Sequence, residues 1–238
     1  MLKAITSKEN PKIKYAYSLK DKKYRLEYKM FLAESFKSLK MALEHNRVVE
    51  VFTTSYLDID ESIPQNLVSE EIIKKLSSTV NPEGIVFICK MNEEVPSDPH
   101  KILYLDEIND PGNMGTLIRT ALAFSYDLVV ASDKCVSAYN EKAVAASKGA
   151  IFALPVIKGN LKDYKGSHKI IVSTLSNKAQ PIEEVEVPEK FVLVIGNESH
   201  GVGKDTRLLS DIDVKISIDN IDSLNAAIAG GILMYKFH

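Results

Sequence analysis

Two spacings of apolar positions alternate along most of the chain. Short apolar runs recur at Ile102–Leu105, Leu128–Ala131, Ile170–Ser173, Phe191–Ile195 and Val214–Ile218. Unbroken runs of this length read as strands buried on both faces. Between them apolar residues return at helical spacing, near 114–124, 139–147, 203–210 and 223–236. Leu117, Ile118, Ala121, Leu122 and Phe124 mark one face of the first of these helices. The alternation predicts an α/β fold with a mostly parallel sheet covered on both faces. In such sheets ligands gather beyond the carboxyl ends of the strands.

The first ninety residues have a looser pattern. Leu32, Phe36, Leu39 and Leu43 step by four, three and four, which predicts a helix of about three turns. Val48–Thr53 reads as a strand, and Ser69 as the N-cap of a helix with Ile72, Ile73 and Leu76 inward. Asn81-Pro82-Glu83-Gly84 is a turn before a buried strand at Ile85–Ile88. Met91 to His100 carries Pro96, Pro99 and three acids, and reads as a linker stiffened by its prolines. The expected organisation is therefore a small α/β unit over 1–92, a linker over 93–100, and a larger α/β unit over 101–238.

Composition narrows the class. Of 238 residues, 45% are hydrophobic and 26% charged, which suits a globular protein with a real core. No apolar stretch reaches the length of a membrane span. The N-terminus has neither the apolar segment nor the cleavage site of a secretory signal. Two cysteines, Cys89 and Cys135, are too few for a disulfide scaffold or a zinc site, so a cytoplasmic setting is expected. The overall charge of −2 hides an asymmetry, because residues 1–29 carry +6 and leave −8 for the rest. Tyr15, Tyr17, Tyr24 and Tyr28 are interleaved with those cations. Basic charge attracts phosphate and aromatic rings stack on unpaired bases, so nucleic acid is a candidate partner. A solvated amphipathic helix whose tyrosines pack on their own domain fits the segment equally well.

Candidate chemistry collects in three polar loops at strand ends. The first is Asp106 to Thr120, with a Pro-Gly turn, Asn113, Gly115, and Arg119 one turn into the following helix. The second is Ile195 to Gly203, and the third runs from Ile216 to Asn225 into a small-residue helix. Gly196 and Gly201 have phosphate-loop spacing, but Val202 stands where lysine is required. No dinucleotide glycine pattern and no serine nucleophile elbow occurs. The histidines lack metal spacing, and His200 reads as a loop polar residue rather than a base.

Taken together, Asn113-x-Gly115-x-x-x-Arg119, Gly196-Asn197-Glu198-x-x-Gly201 and Ser223-Leu224-Asn225 resemble the three motifs of the SpoU (TrmH) family of RNA ribose 2'-O-methyltransferases. Ser147-Lys148-Gly149-Ala150 falls at a further short signature of that family. The N-terminal part resembles its L30e-like substrate-binding domain through Thr6-Ser7-x-x-Asn10-Pro11-Lys12-Ile13-Lys14, Lys23-Tyr24-Arg25 and Phe31-Leu32-Ala33-Glu34. Two positions depart from the pattern. Ser217 replaces a usual proline and so loosens a cofactor loop. Ser35 replaces a usual glycine at a helix start.

The resemblance implies an α/β trefoil-knot methyltransferase domain using S-adenosyl-L-methionine (AdoMet), with no metal. It implies AdoMet held by Thr174, Gly196, Asn197, Gly201, Ile216, Ile218, Ser223 and Leu224, with the glycine at 196 letting the main chain approach the ligand. Arg119 would be the catalytic cation. Asn113, Glu198, Ser223 and Asn225 would be polar supports of the reaction. Glu198 would fix Arg119 or a loop amide, and Asn113 and Asn225 would bond substrate or brace the loops. The plain structural roles are Arg119 paired to Asp106, Glu107 or Asp110, Asn113 or Ser223 as helix caps, and Glu198 as a solvated acid. Lys12, Lys14, Lys22, Lys23 and Arg25 would contact RNA, ribosomal first and transfer RNA second. The last helix would take part in a homodimer or pack on its own sheet. A catalytically silent RNA-binding protein on the same fold is the alternative of a different class.

Overall fold

In the computed structural model, which describes residues 5–176 and 178–238, the chain builds two sheets. The N-terminal unit runs α1 (Pro11–Ser18), α2 (Lys22–Tyr28), β1 (Met30–Glu34), α3 (Phe36–Glu44), β2 (Val48–Thr53), β3 (Gln65–Leu67), α4 (Glu70–Leu76) and β4 (Ile85–Lys90). Its strands lie in the order β1-β4-β2-β3. β4 is antiparallel to both neighbours, and β3 is parallel to β2.

The basic segment folds into α1 and α2, whose first turns are capped by the side chains of Asn10 and Asp21. Ser69 stands at the N-cap of α4, but its side chain makes no capping bond. The periodic run from Leu32 to Leu43 crosses two elements rather than one helix: Leu32 lies in β1, and α3 starts only at Phe36. Ser35 makes the break, at φ 81 and ψ 145. That backbone region belongs almost entirely to glycine. The serine hydroxyl answers by accepting the N–H of Ser38 at 3.2 Å.

The second unit runs β5 (Lys101–Leu105), α5 (Pro111–Ala123), β6 (Leu128–Ala131), α6 (Glu141–Ser147), α7 (Ala150–Ala153), β7 (Val156–Lys158), β8 (Lys169–Ser173), β9 (Gln180–Pro181), β10 (Phe191–Ile195), α8 (Lys204–Arg207), β11 (Ile212–Lys215) and α9 (Ala226–Lys236). The order is β7-β6-β5-β10-β8-β11-β9, and every pairing is parallel. β10 inserts between β5 and β8, so the chain reverses its direction of travel across the sheet there. Alternate strand residues feed two apolar layers. Leu103, Leu105, Val129, Leu193 and Ile171 face one side with α5, α6 and α9. Ile102, Val130, Val192 and Ile170 face the other.

Several boundaries differ from the pattern. The last long strand ends at Lys215, so Ile216 and Ile218 leave the sheet and enter a loop. The expected helix over 203–210 shrinks to α8, and the final helix starts at Ala226. β7 and β9 are three and two residues long, too short to display a period.

The proline-bearing segment is anchored where it begins. Met91 and Asn92 are buried. The Asn92 amide donates to the carbonyls of Phe152 and Ala153 at 3.3 and 3.1 Å. Phe31 of β1 packs on Tyr139 with ring centroids 4.9 Å apart, inside a core that also holds Leu39, Phe87 and Phe152. Gly149 adopts φ +98, and a Cβ there would stand 2.3 Å from Met41 Sδ of α3. The N-terminal unit is thus seated on α6 and α7 through a shared core, more tightly than a linker alone would hold it.

Candidate active site

The site is assembled at the carboxyl edge of the second sheet, beginning with a helix cap. Asp110 Oδ1 accepts the N–H of Asn113 at 2.7 Å, and Pro111 occupies the first helical position. The helix therefore opens three residues before the apolar pattern suggests, and Asn113 is not its cap. Its side chain is free for other work. Asn113 Nδ2 donates to Glu198 Oε1 at 2.7 Å, and Asn113 Oδ1 accepts from Asn225 Nδ2 at 3.1 Å. Asn225, not Ser223, caps the last helix, accepting from the N–H groups of Ala227 and Ile228 at 2.9 and 3.2 Å. One residue from each polar loop thus meets in a single hydrogen-bonded chain. Glu198 therefore holds an amide, that of Asn113, rather than standing as a free acid or pairing with Arg119.

Beside this junction lies a cavity of about 500 Å³ between the ends of β8, β10 and β11 and the start of α9. Thr174, Gly196, Asn197, Gly201, Ile216, Ile218, Ser223 and Leu224 all line it, as does Glu198. Ser217 is exposed. Gly196, which lines the cavity, also has a packing reason for its glycine. A Cβ there would lie 2.4 Å from both Gly201 C and Val202 N, because residues 197–201 fold back on the strand end. Asn197 and Gly201 exchange both main-chain hydrogen bonds at 3.0 Å. Gly115 is likewise a packing residue, with Ala143 O only 2.2 Å from where its Cβ would be.

Two residues that the motifs did not single out tie these loops together. Asp106, buried at the end of β5, accepts the Gly203 N–H through Oδ2 at 2.8 Å. The Glu107 carbonyl accepts Asn197 Nδ2 at 2.7 Å, and its carboxylate lies 2.5 Å from Lys134 and 3.7 Å from His200. Position directly after an apolar strand is the only signal that could have found them. Burial, with Asp106 nearby, pushes Tyr104 up to about 12, so its phenol stays protonated. Arg207 and Lys215 add cationic rim to the cavity.

Arg119 sits apart. It is exposed, makes no ion pair among the described residues with Asp106, Glu107 or Asp110, and does not line the cavity. Six residues beyond Asn113, it is rotated by roughly 240° around the helix and displaced by roughly 9 Å along it. The structure thus brings Asn113, Glu198 and Asn225 together and leaves Arg119 on the outer face of α5. α9 lies instead against the side of α5 that carries Leu117, Thr120 and Phe124, and on its own outer side Ile228, Ile232 and Tyr235 are 57%, 37% and 66% exposed. The inner face of α9 packs within the chain, since a Cβ on Gly230 would meet Leu117 Cδ2 at 2.3 Å.

Among the basic candidates, Lys22 and Lys23 are exposed and form no ion pair among the described residues. Lys12 pairs with Glu50 at 2.6 Å and Lys14 with Glu9 at 2.5 Å. Arg25 is turned inward, donating to the carbonyls of Leu19 and Lys20 at 2.9 and 2.6 Å, and is a structural residue of its own unit. No group of metal-ligating side chains occurs among the described residues.

Known proteins match this geometry over nearly the whole chain. The model of the SpoU rRNA Methylase family matches residues 100–235, and that of the MRM3-like substrate binding domain matches residues 10–86. The 23S rRNA (guanosine(2553)-2'-O)-methyltransferase RlmP of Bacillus subtilis is 32% identical over 98% of each chain. The AdoMet-bound rRNA methyltransferase of Sinorhizobium meliloti superposes with a TM-score of 0.86 at 25% identity, over 98% of this chain and 96% of that one. The SpoU methyltransferase AviRb of Streptomyces viridochromogenes, solved with AdoMet, shares the fold at a TM-score of 0.85 and 20% identity, over 96% and 97% of the two chains.

Proposed function

Because this chain belongs to the SpoU rRNA methylase family, we propose that it transfers a methyl group from AdoMet to a ribose 2'-hydroxyl of 23S-type ribosomal RNA. Its larger unit is the α/β trefoil-knot methyltransferase fold of that family. The observation that carries the assignment is the junction of Asn113, Glu198 and Asn225 at the side of the cavity. It brings a carboxylate and two amides from separate loops to the place where a cofactor site meets open solvent.

The cavity suits AdoMet. Its volume falls within the range of roughly 300–1,000 Å³ common to small-molecule sites. Ile216, Leu224 and Ala226 offer apolar walls for a purine, while main chain at 196–201 and 216–218 offers polar edges. Bound there, AdoMet supplies a methyl group that is already activated for displacement. Asp106 and the Glu107 carbonyl hold the 196–203 loop in shape for it. Glu198, oriented by Asn113, and Asn225, fixed by its capping bonds, position the ribose oxygen; holding the reactants in line supplies much of the rate. Arg119 acts as a cation that stabilises developing negative charge. Arginine side chains are in general too weakly acidic to serve as a base, so the hydroxyl proton leaves to water or phosphate.

The placement of Arg119 favours a homodimer. The exposed apolar stripe of α9, the helix packed on the neighbouring side of α5, is the surface such a dimer would cover, bringing Arg119 to the partner's site. The N-terminal unit holds the RNA, with Lys22 and Lys23 as its free cations. No helix among the described residues is long and apolar enough to cross a membrane, and the two buried free cysteines suit the cytoplasm. Mapping ribose methylation in the ribosomal RNA of cells with and without the protein tests the whole assignment. One site is expected to vanish on deletion and to return with the intact gene but not with an Asn113→Ala copy. An unchanged methylation map overturns it.

A further inference from the structure

We propose that Tyr24 and Tyr28 of α2, with Lys22 and Lys23 beside them, form a stacking site for an unpaired RNA base; the proposal rests on the protein being an RNA-modifying enzyme. The two tyrosines are four residues apart and share one face of the helix. Their ring centroids are 6.2 Å apart and their planes differ by only 9°. Tyr15 of α1 meets Tyr28 edge-on at 5.2 Å and 67°, which holds that ring in place from behind. Tyr28 is nevertheless 41% exposed, and α2 buries only Arg25. These rings are therefore not there to fill the core of their own unit. They present a flat, preset aromatic surface to solvent.

Charge identifies the occupant. Lys12, Lys14, Lys20 and Lys29 are each paired, to Glu50, Glu9, Glu141 and Glu93. Lys22 and Lys23 are not paired among the described residues, and Lys23 Nζ lies 5.5 Å from the centre of the Tyr24 ring. Free cations flanking one exposed and one half-buried ring match the alternation of phosphate and base in a single strand. In a duplex the base faces are hidden in the stack, and the rings would have nothing to meet.

The site also lies on the correct edge of the molecule. Lys20 reaches Glu141 at the start of α6 at 3.1 Å. Lys22 opens α2 two residues after Lys20, so α2 starts near the carboxyl ends of the parallel strands, the edge from which Asn113 projects. A base stacked on α2 and a ribose at Glu198 belong to one strand running along that edge.

The test titrates the full chain with a short single-stranded RNA carrying one 2-aminopurine, and with the same strand in a duplex. Stacking is expected to quench the fluorophore in the single strand, and the duplex to bind more weakly. Tyr24→Ala and Tyr28→Ala are expected to weaken single-strand binding about tenfold and remove the quench. Tyr28→Phe keeps both, and Lys22→Ala flattens the salt dependence of binding instead. Absence of quenching by the unaltered protein, preference for the duplex, or unchanged affinity of Tyr28→Ala overturns the proposal. The wild-type quench decides the matter even where a variant folds poorly. AdoMet titration of the same samples keeps the two claims apart. Loss of cofactor binding by the wild type strikes at the enzyme assignment, while the stacking result stands or falls on the oligonucleotide.

Discussion

At Ser35 the backbone keeps a shape suited to glycine, at a strain of roughly 1–3 kcal/mol. Ser35→Gly removes that strain. It also loses the bond to Ser38, worth a few tenths of a kcal/mol at an N-cap, and adds roughly 0.5–1 kcal/mol of unfolded-chain entropy. Strain outweighs the other two, so the variant is expected to gain about 1 kcal/mol and a few degrees of Tm; thermal unfolding followed by circular dichroism checks it, and a lowered Tm refutes it. Asn113 makes the opposite case, a residue with little structural duty. Asp110 already caps α5, so Asn113→Ala leaves the helix start intact. What it removes is the donor to Glu198 and the acceptor for Asn225. Turnover is expected to fall about a hundredfold, the usual cost of one positioned donor, with AdoMet affinity unchanged. Parallel loss of cofactor binding would show that Asn113 supports the pocket rather than the substrate.

Between elements, glycines mark where segments must touch. α5 crosses α6 so closely that a Cβ on Gly115 would stand 2.2 Å from a backbone carbonyl and 2.6 Å from Ala146 Cβ. Neither neighbour can give way, so Gly115→Ala must push the helices apart, costing about 1–3 kcal/mol. Gly231 meets its nearest atom at 4.0 Å, and Gly231→Ala should be neutral or slightly stabilising in a helix interior. Urea unfolding of the pair separates contact from composition; equal midpoints would deny Gly115 its packing role. The motifs thus located these glycines without showing what each one packs against. Spacing along the chain cannot show that Gly115 meets α6, Gly196 meets Val202, or Gly149 meets Met41, because each contact joins segments brought together only by folding. The parallel strands were legible for the opposite reason: burial on both faces leaves an unbroken apolar run in the sequence. Leu32 joined a helical period only by coincidence, since one turn in Ser35 separates it from α3. Arg25 looked like its basic neighbours, and only burial distinguishes it. Asp110-Pro111, read from the sequence as part of a turn, is in fact the helix start, and that leaves Asn113 free.

For the molecule as a whole, the question is how a cation facing away from the cavity serves it. Asn113 and Arg119 are on one rigid helix, so no side-chain rotation turns both toward the same pocket. In the proposed dimer a second copy, packed through the exposed face of α9, would resolve the conflict by pairing the Asn113 of one subunit with the Arg119 of the other. A twofold dimer makes this reciprocal: each of two sites takes one residue from each chain. The arrangement has a consequence that no single-chain site shares. Arg119→Ala and Asn113→Ala homodimers should each fold, bind AdoMet and keep about a hundredth or less of the methylation rate. Mixed and allowed to exchange subunits, they should form heterodimers in which one site carries both residues intact. Random exchange then restores about a quarter of wild-type activity, because half the dimers are mixed and half of their sites are whole. Methyl incorporation into ribosomal RNA, measured before and after mixing, gives the answer. Activity that stays at the level of the separate variants would place Arg119 and Asn113 in the same subunit's site and would require α5 to be repositioned when RNA binds.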